Sequence, residues 1–348
     1  MQNIIKYRVI GVMSGTSLDG LDLALCVFKK QTKWQYKIEK TKTIKYTKFW
    51  KNKLENLHLK TKDEISKTDI DFGIYIGKKI KQFVNTNNVD LICSHGHTIF
   101  HQPDKNFTLQ IGDGRSIANT TKTKTINDFR SLDISLFGQG APLVPIGDLK
   151  LFNKYKYCLN LGGFANISIK KQNKIQAFDI CPVNIILNKL AKRLNLEYDK
   201  NGEIAKSGNI IKEVLDQLNQ IPFYKKNPPK SLSREWVEKF IHPIISNNYN
   251  VNDLLRTYCE HISIQINKNI KNESTLVTGG GALNNYLIKC IKKKSSTNII
   301  IANKDLIEFK EALIFGFLGI LKDLNEINCL ASVTGAKHDC SGGKIHIP

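Results

Sequence analysis

Hydrophobic and polar residues change rhythm several times along the chain, and each change predicts an element. Tyr7–Met13 is a largely apolar strand candidate and Leu21–Phe28 alternates like a returning strand, so two strands flank the polar turn Ser14–Gly20 as a hairpin. A lysine-rich stretch follows, with further strand material expected to about Trp50. From Asp63 to Asn85 the apolar residues recur at helical spacing among lysines. Val89–Cys93 then predicts a buried strand ending in a polar loop that carries His95, His97, Thr98 and His101.

A second block repeats this theme. The segment from Asn127 to about Asp148 is rich in Gly, Pro and polar residues, and a loop of that length is suspect as a site. The stretch from Tyr155 to Ile180 predicts a strand, a glycine turn, a strand and a third strand ending at Asp179. Asn184–Leu196 reads as an amphipathic helix. Two loops follow, around Tyr198–Gly208 and Pro228–Trp236, and then a helix at Val251–Ile270. Ser274–Ile291 predicts a strand, a glycine turn and a helix, and Phe309–Leu324 a largely buried helix. Two hairpin-bearing halves, each followed by helices, predict a duplicated α/β fold with a cleft between lobes. The expected boundary gives residues 1–127 with 329–348 to one lobe and 128–328 to the other.

Composition narrows the class without naming a function. The chain has 348 residues, 41% hydrophobic and 24% charged, as expected of a globular protein rather than a disordered one. Its net charge of +21 raises nucleic acid or an anionic membrane as partners. Only Arg8, Arg115, Arg130, Arg193, Arg234 and Arg256 are arginine, however, and the rest of the basic residues are dispersed lysines. Nucleic-acid readers favour the planar arginine fork, so a solvated lysine surface is the better reading and neither partner is expected. The eight cysteines form no Cys-x-x-Cys pair and no metal-ligand spacing. Together with the lack of a signal-peptide pattern or a long apolar run, they point to buried reduced thiols in the cytoplasm.

Three glycine turns carry the candidate chemistry. In Gly15-Thr16-Ser17-Leu18-Asp19-Gly20, small residues admit a phosphate to backbone N–H groups, two hydroxyls can donate, and Asp19 and Asp22 could hold Mg²⁺. Gly162-Gly163, followed by Asn166, forms a second turn between strands. Gly279-Gly280-Gly281, followed by Asn284, opens a helix after a buried strand, placing a helix N-terminus beside a ligand. Each turn taken alone serves packing as readily as binding.

In combination, their order resembles the layout of the actin/hexokinase/Hsp70 ATPases, a two-lobed ribonuclease H-like duplicated fold. The segment GVMSGTSLDGLDLAL closely resembles the opening of the anhydro-N-acetylmuramic acid kinases. The resemblance continues collinearly through SHGHTIFHQP, DFRSLDISLFGQGAPLVP, NLGGFANIS, YDKNGEIAKSG, PPKSLSRE, VTGGGALNN, EALIFGFLG and SVTGA. It implies an ATP- and Mg²⁺-dependent kinase of peptidoglycan recycling. Such an enzyme opens 1,6-anhydro-N-acetylmuramic acid with water and phosphorylates the freed O6; the resemblance also implies a homodimer.

That chemistry asks for a carboxylate to deprotonate water. Asp179 takes the position of the family's catalytic aspartate; read without the family, it could equally cap the helix that follows. His95, His97, Thr98, Arg130, Pro182, Asn184 and Glu311 are the expected sugar contacts. Arg130 and Glu311 have bland alternatives as a loop brace and as a helix-start residue stabilised by the macrodipole. A metal at the histidine cluster is disfavoured, since no Cys, Asp or Glu completes a familiar spacing.

One segment departs from the family. The usual Asp-Thr-Gly-Pro-Gly-Asn is here Asp179-Ile180-Cys181-Pro182-Val183-Asn184. Added Cβ atoms forbid the positive φ that glycine permits, which predicts a reshaped sugar pocket, a related anhydro sugar as substrate, or a weakened sugar- or nucleotide-binding sensor.

Overall fold

The computed structural model describes residues 4–15, 17–172, 174–245 and 249–348. Thr16, one of the expected phosphate-turn residues, lies outside them. The chain divides into two compact units, residues 1–151 with 309–348 and residues 152–308. Among the described residues, no helix is long and apolar enough to cross a membrane.

Unit 1 is built on β1 (Ile5–Ser14), β2 (Gly20–Lys30), β3 (Trp34–Lys45), β4 (Leu91–Gln102), β5 (Phe107–Ile111) and β6 (Thr125–Asn127), with β12 (Lys344–His346) at one edge. Strands β1, β2 and β3 pair antiparallel, β4 lies parallel to β1, and β6 lies parallel to β4. The central strands are buried on both faces, because a helix covers each. The helix Lys62–Phe83, started by a Thr61/Glu64 capping box, presents Phe72, Ile76 and Ile80 to Ile10, Val12, Leu21 and Leu23. The opposite face receives the helix Lys304–Asp323. There a Cβ on Gly11 would come within 1.8 Å of the Ala312 carbonyl oxygen, so only glycine admits the helix this close.

Unit 2 holds β7 (Tyr157–Leu161), β8 (Phe164–Lys171), β9 (Lys174–Pro182), β10 (Thr275–Thr278) and β11 (Ile299–Ile301). The order β11-β10-β7-β8-β9, with β7–β9 antiparallel and β10 and β11 parallel, repeats the β6-β4-β1-β2-β3 order of unit 1. This shared order is the ribonuclease H-like arrangement, present twice. The helices Asn184–Lys192 and Val251–Asn267 bury Leu187, Leu190, Leu255, Tyr258 and Ile262 in one cluster with Leu159, Ile167 and Ile180.

The structure departs from the sequence-based expectation in several places, among them the stretch before Trp50, expected as strand, where the helix Lys48–Glu55 stands, started by the Thr47 cap. Residues 128–151 and 309–328, expected in the second lobe, pack in unit 1: Phe129 and Phe315 are in ring contact, and the helix through Gly316 covers β1. The polar segment after Cys93 is strand rather than loop, because β5 supplies antiparallel partners as far as Gln102. The segment after Asn127 is not one loop, since it contains the short helices Ser131–Ser135 and Pro145–Leu151. Strand β9 continues three residues past Asp179. The three glycines lead into a 3₁₀ turn at Gly280–Leu283, and the α-helix begins only at Asn285.

Candidate active site

In unit 1 the phosphate-turn candidates differ in what they do. The Leu18 N–H donates to the Gly15 carbonyl at 3.2 Å, and Leu18 takes a left-handed φ of 57° while packing on the unit's core. A Cβ on Gly20 would stand 2.6 Å from the Ile44 carbonyl oxygen, so Gly20 serves the approach of β3. A Cβ on Gly15 would meet only the Ser17 hydroxyl, at 3.5 Å, and neither packing nor φ calls for glycine there. Ser17 and Asp19 are exposed on the turn. Asp22 is half-buried on β2 and accepts from the Thr43 hydroxyl at 2.5 Å.

His95 and His97, two of the three histidines of β4, are neutral and oriented by neighbours. Burial, followed by the Arg130 charge, pushes the His95 pKa down to about 3. Arg130 reaches the His95 Nε2 from Nε at 3.0 Å and from Nη2 at 2.8 Å, so Nε2 is the acceptor and Nδ1–H donates to the Gly96 carbonyl at 2.9 Å. The Phe315 ring packs against both side chains, 4.6 Å from the His95 ring and 5.9 Å from the guanidinium. Arg130 also donates to the Gly140 carbonyl at 2.5 Å.

Burial likewise lowers His97, to about 4. The Tyr46 hydroxyl donates to the Ser14 Oγ at 2.6 Å, and Ser14 in turn meets the His97 Nδ1 at 2.8 Å. The His97 Nδ1 thus ends a hydrogen-bonded chain from Tyr46 through Ser14, which fixes the orientation of the ring. Ser14 and Tyr46 were not singled out as site residues from sequence. Their signal was weak, since Tyr46 lies in the lysine-rich stretch and is brought to Ser14 only by pairing of β1, β2 and β3. Thr98 pairs with Gln110 across β4 and β5 and is half-buried.

Glu311 sits two residues after Phe309, where the helix Lys304–Asp323 is interrupted by φ −119° and ψ 17°. It stands in the turn that follows this break, while the first turn of the whole helix carries Asp305. Glu311 is exposed at the surface of the unit, although many atoms surround its carboxyl. Desolvation raises its carboxyl above the usual range; the charges of Arg130 and Lys310 oppose this and Asp22 adds to it.

In unit 2 the polar candidates form a ladder. Register pairs Asn160 with Asn166 and Asn166 with Asp179, so the three side chains share one face of β7, β8 and β9. The register shifts immediately afterwards, with Ala165 opposite Cys181, leaving Ile180 as the bulged residue beside Asp179. The Leu232 N–H donates to the Asp179 Oδ2 at 2.9 Å, and the Asp179 N–H donates to the Lys230 carbonyl at 3.1 Å. Desolvation raises the Asp179 carboxyl above its ordinary value, partly countered by that Leu232 hydrogen bond. Asp179 is not a helix cap, since the residue preceding the helix Asn184–Lys192 is Val183.

The unit 2 glycines divide by their surroundings. Gly279 has φ 80°, and a Cβ there would meet the Asn160 Oδ1 at 2.6 Å; one on Gly281 would meet the Leu161 side chain at 2.8 Å. Both serve packing. A Cβ on Gly163 would meet no described atom within 4 Å, and one on Gly280 only the Asn184 Nδ2 at 3.8 Å. A Cβ on Gly162 would face the Asn160 Nδ2 at 3.2 Å. Neither Gly163 nor Gly280 has a positive φ among the described residues, so nothing within the fold calls for glycine at either. That is the pattern expected where a ligand approaches the backbone.

Asn160, which sequence reasoning quoted but did not select, thus lies between the second and third turns. Asn184, expected to hold sugar, donates to the Leu161 carbonyl at 3.2 Å and braces the same two turns. Asn284, expected to hold nucleotide, caps the helix Asn285–Lys294 by accepting from the Leu287 N–H at 2.9 Å. Pro182 is buried, and its carbonyl accepts from the Tyr258 hydroxyl at 3.2 Å. The three departing side chains Ile180, Cys181 and Val183 lie in the unit's core, and none takes a positive φ. The chain has filled that segment with packing groups.

Comparison with known proteins gives one consistent result. The model of the family described as "Anhydro-N-acetylmuramic acid kinase" matches residues 7–348. A protein of that description from Francisella tularensis subsp. novicida is 33% identical over 380 residues, covering 98% of each chain. One from Bacillus thuringiensis subsp. konkukian is 31% identical over 379 residues, covering 98% of this chain and 99% of its own. Among solved structures, a ROK family glucokinase from Streptomyces griseus in complex with glucose and AMPPNP is 12% identical with a TM-score of 0.42. It covers 89% of this chain and 98% of its own, a likeness too distant to place any residue.

Proposed function

The chain belongs to the anhydro-N-acetylmuramic acid kinase family, and on that premise we propose how its residues divide the reaction. It is an ATP-using kinase of peptidoglycan recycling. Its substrate in this reading is 1,6-anhydro-N-acetylmuramic acid, which it converts with water and ATP to N-acetylmuramic acid 6-phosphate and ADP. Water adds at C1, the bond from C1 to O6 breaks, and O6 takes the γ-phosphoryl group.

Asp179 is the general base that takes the proton of the water. The observation that carries this is its setting: a rigid strand, a bulge beside it, and one carboxylate oxygen held by the Leu232 N–H. The desolvation that raises its pKa makes it a stronger base than an exposed aspartate. Its other oxygen is the one to meet the water. Arg130, locked by His95 and Gly140, offers a cation to the lactyl carboxylate of the sugar, and the His97 ring, Thr98 and Glu311 offer polar contacts to its hydroxyl groups.

Backbone N–H groups beside Gly15, Gly163 and Gly280, where no side chain stands, are assigned to the phosphates of ATP. Asn160, Asn166 and Asn184 keep the second and third turns in register. The donor set near the first turn fits Mg²⁺, since Asp19 and Asp22 offer hard carboxylate oxygens and the exposed Asp19 leaves room for retained waters. When bound, Mg²⁺ supplies charge neutralisation at the transferring phosphoryl group. A cytoplasmic location and a homodimer complete the proposal.

The test is sugar-dependent ADP release with Mg-ATP and 1,6-anhydro-N-acetylmuramic acid, with Asp179→Asn beside the wild type. Turnover that disappears in the variant supports the reading. ATP binding without sugar-dependent turnover in the wild type overturns it.

A further inference from the structure

Unit 1 holds a group of buried side chains that the kinase reaction does not use. Cys329 and Cys340 face each other across an antiparallel bridge, the Cys329 N–H donating to the Cys340 carbonyl at 3.0 Å and the Cys340 N–H to the Cys329 carbonyl at 3.1 Å. Residues exchanging both backbone bonds sit with Cα atoms about 5.5 Å apart, inside the range that a disulfide spans. Both thiols are free.

Their surroundings tie them to the sugar-binding candidates. The Cys329 thiol donates to the Asp133 Oδ1 at 3.1 Å, where the Thr334 hydroxyl also donates at 2.7 Å. The Gly140 N–H donates to the other oxygen, Oδ2, at 2.7 Å. The Gly140 carbonyl accepts from Arg130, and Arg130 donates to His95. One continuous chain of hydrogen bonds therefore runs from the dithiol through Asp133 and Gly140 to the guanidinium.

We propose that Cys329 and Cys340 form a reversible disulfide that weakens sugar turnover by releasing Asp133 and, through Gly140, Arg130. The consequence for turnover rests on the kinase reading above; the disulfide itself does not. Cys340, 7% exposed against 2% for Cys329, is the sulfur that a small hydroperoxide reaches first. The Cys340 thiolate attacks the peroxide O–O bond, giving a sulfenic acid and, from hydrogen peroxide, one water. The Cys329 thiol displaces the sulfenic oxygen as a second water and forms the S–S bond. Two thiols are oxidised by two electrons and one peroxide is reduced by two. Cys329 then has no S–H to donate to Asp133.

Ligand atoms of Asp133, Cys329 and Cys340 lie within 4.8 Å of one another, a donor set that also suits zinc. Both Asp133 oxygens already accept hydrogen bonds that shape the loop, which favours the dithiol.

The experiment treats the full-length reduced protein with one equivalent of hydrogen peroxide. The Cys329–Cys340 peptide is mapped by mass spectrometry under non-reducing conditions, and ADP release is followed before and after dithiothreitol. The expected result is that peptide, a loss of about tenfold or more in kcat/KM as Arg130 shifts, and recovery on reduction. Cys340→Ser, with Cys340→Ala as a second variant, should keep the reduced activity and lose the peroxide response. Thiols that stay alkylatable, a different pairing, or the expected peptide with unchanged kinetics would overturn the proposal. One zinc per purified chain, released together with both thiols, would also overturn it. A reduced protein without sugar-dependent ADP release sinks the kinase reading and the regulatory consequence together, while the peptide map still decides whether the disulfide forms.

Discussion

Arg130 delivers two N–H donors to one nitrogen of His95, at 3.0 and 2.8 Å, and so holds a buried imidazole neutral and in a single tautomer. The pair stiffens the only arginine among the expected sugar contacts. Lysine cannot reproduce the fork. Arg130→Lys is therefore expected to lower kcat/KM by about ten- to a hundredfold, since small displacements of a positioning group cost that much. Steady-state kinetics with the sugar varied will check it; an unchanged kcat/KM would exclude Arg130 from binding.

The same pair makes stability depend on pH. His95 and His97 have folded pKa values pushed from 6.5 to about 3 and about 4, so below pH 6.5 the unfolded chain binds protons that the folded chain does not. Their contribution is complete above pH 6.5 and is lost as pH falls from there toward 4 and then 3. Thermal unfolding of His95→Gln should show a flatter acid limb than the wild type between pH 6.5 and 4.

Asp179→Asn should lower sugar-dependent ADP release by about 10²- to 10⁴-fold while leaving the fold intact, because the amide oxygen can still accept from the Leu232 N–H. Since the carboxyl is raised above its ordinary 3.8, the acid limb of the wild-type kcat/KM profile is expected above that value. The base must be ionised, so activity is lost as pH falls through the raised pKa.

The glycines give a paired test. Gly163→Ala adds a methyl group where no described atom lies within 4 Å, so Tm should hold while the KM for ATP rises. Gly279→Ala combines a φ of 80° with a clash against the Asn160 Oδ1, and about 1–3 kcal/mol of stability should be lost. Equal effects of the two on Tm would refute the division into ligand-facing and packing glycines.

Lys310 and Asp148 form a buried ion pair at 2.8 Å, with side chains 8% and 3% exposed. Removing one partner strands the other charge, so Lys310→Met should cost about 3–5 kcal/mol in denaturant unfolding. The double variant with Asp148→Asn should recover part of that loss.

Much of the fold and of the candidate site was legible in the sequence for local reasons. The hairpin turns, the helix from Asp63, the strand leading to Asp179 and the third glycine turn each rest on patterns a few residues long, and their order along the chain carried the family resemblance. What distance in sequence decided was not legible. Arg130 meets His95 across 35 residues, and Cys329 meets Asp133 across 196, so neither pair leaves a local pattern. Open and packing glycines look alike as letters and differ only in what a Cβ would touch. The departure at Ile180–Val183 looked damaging because glycine's positive φ appeared lost; in the fold none of the three new residues takes a positive φ, and their side chains fill the core. Sequence alone determined the elements, their order and the chemistry on offer, because these follow from short-range sterics and hydrophobic periodicity. Tertiary structure decided which groups are oriented, neutral or desolvated, because burial and hydrogen-bond partners come from strands and helices that only folding brings together.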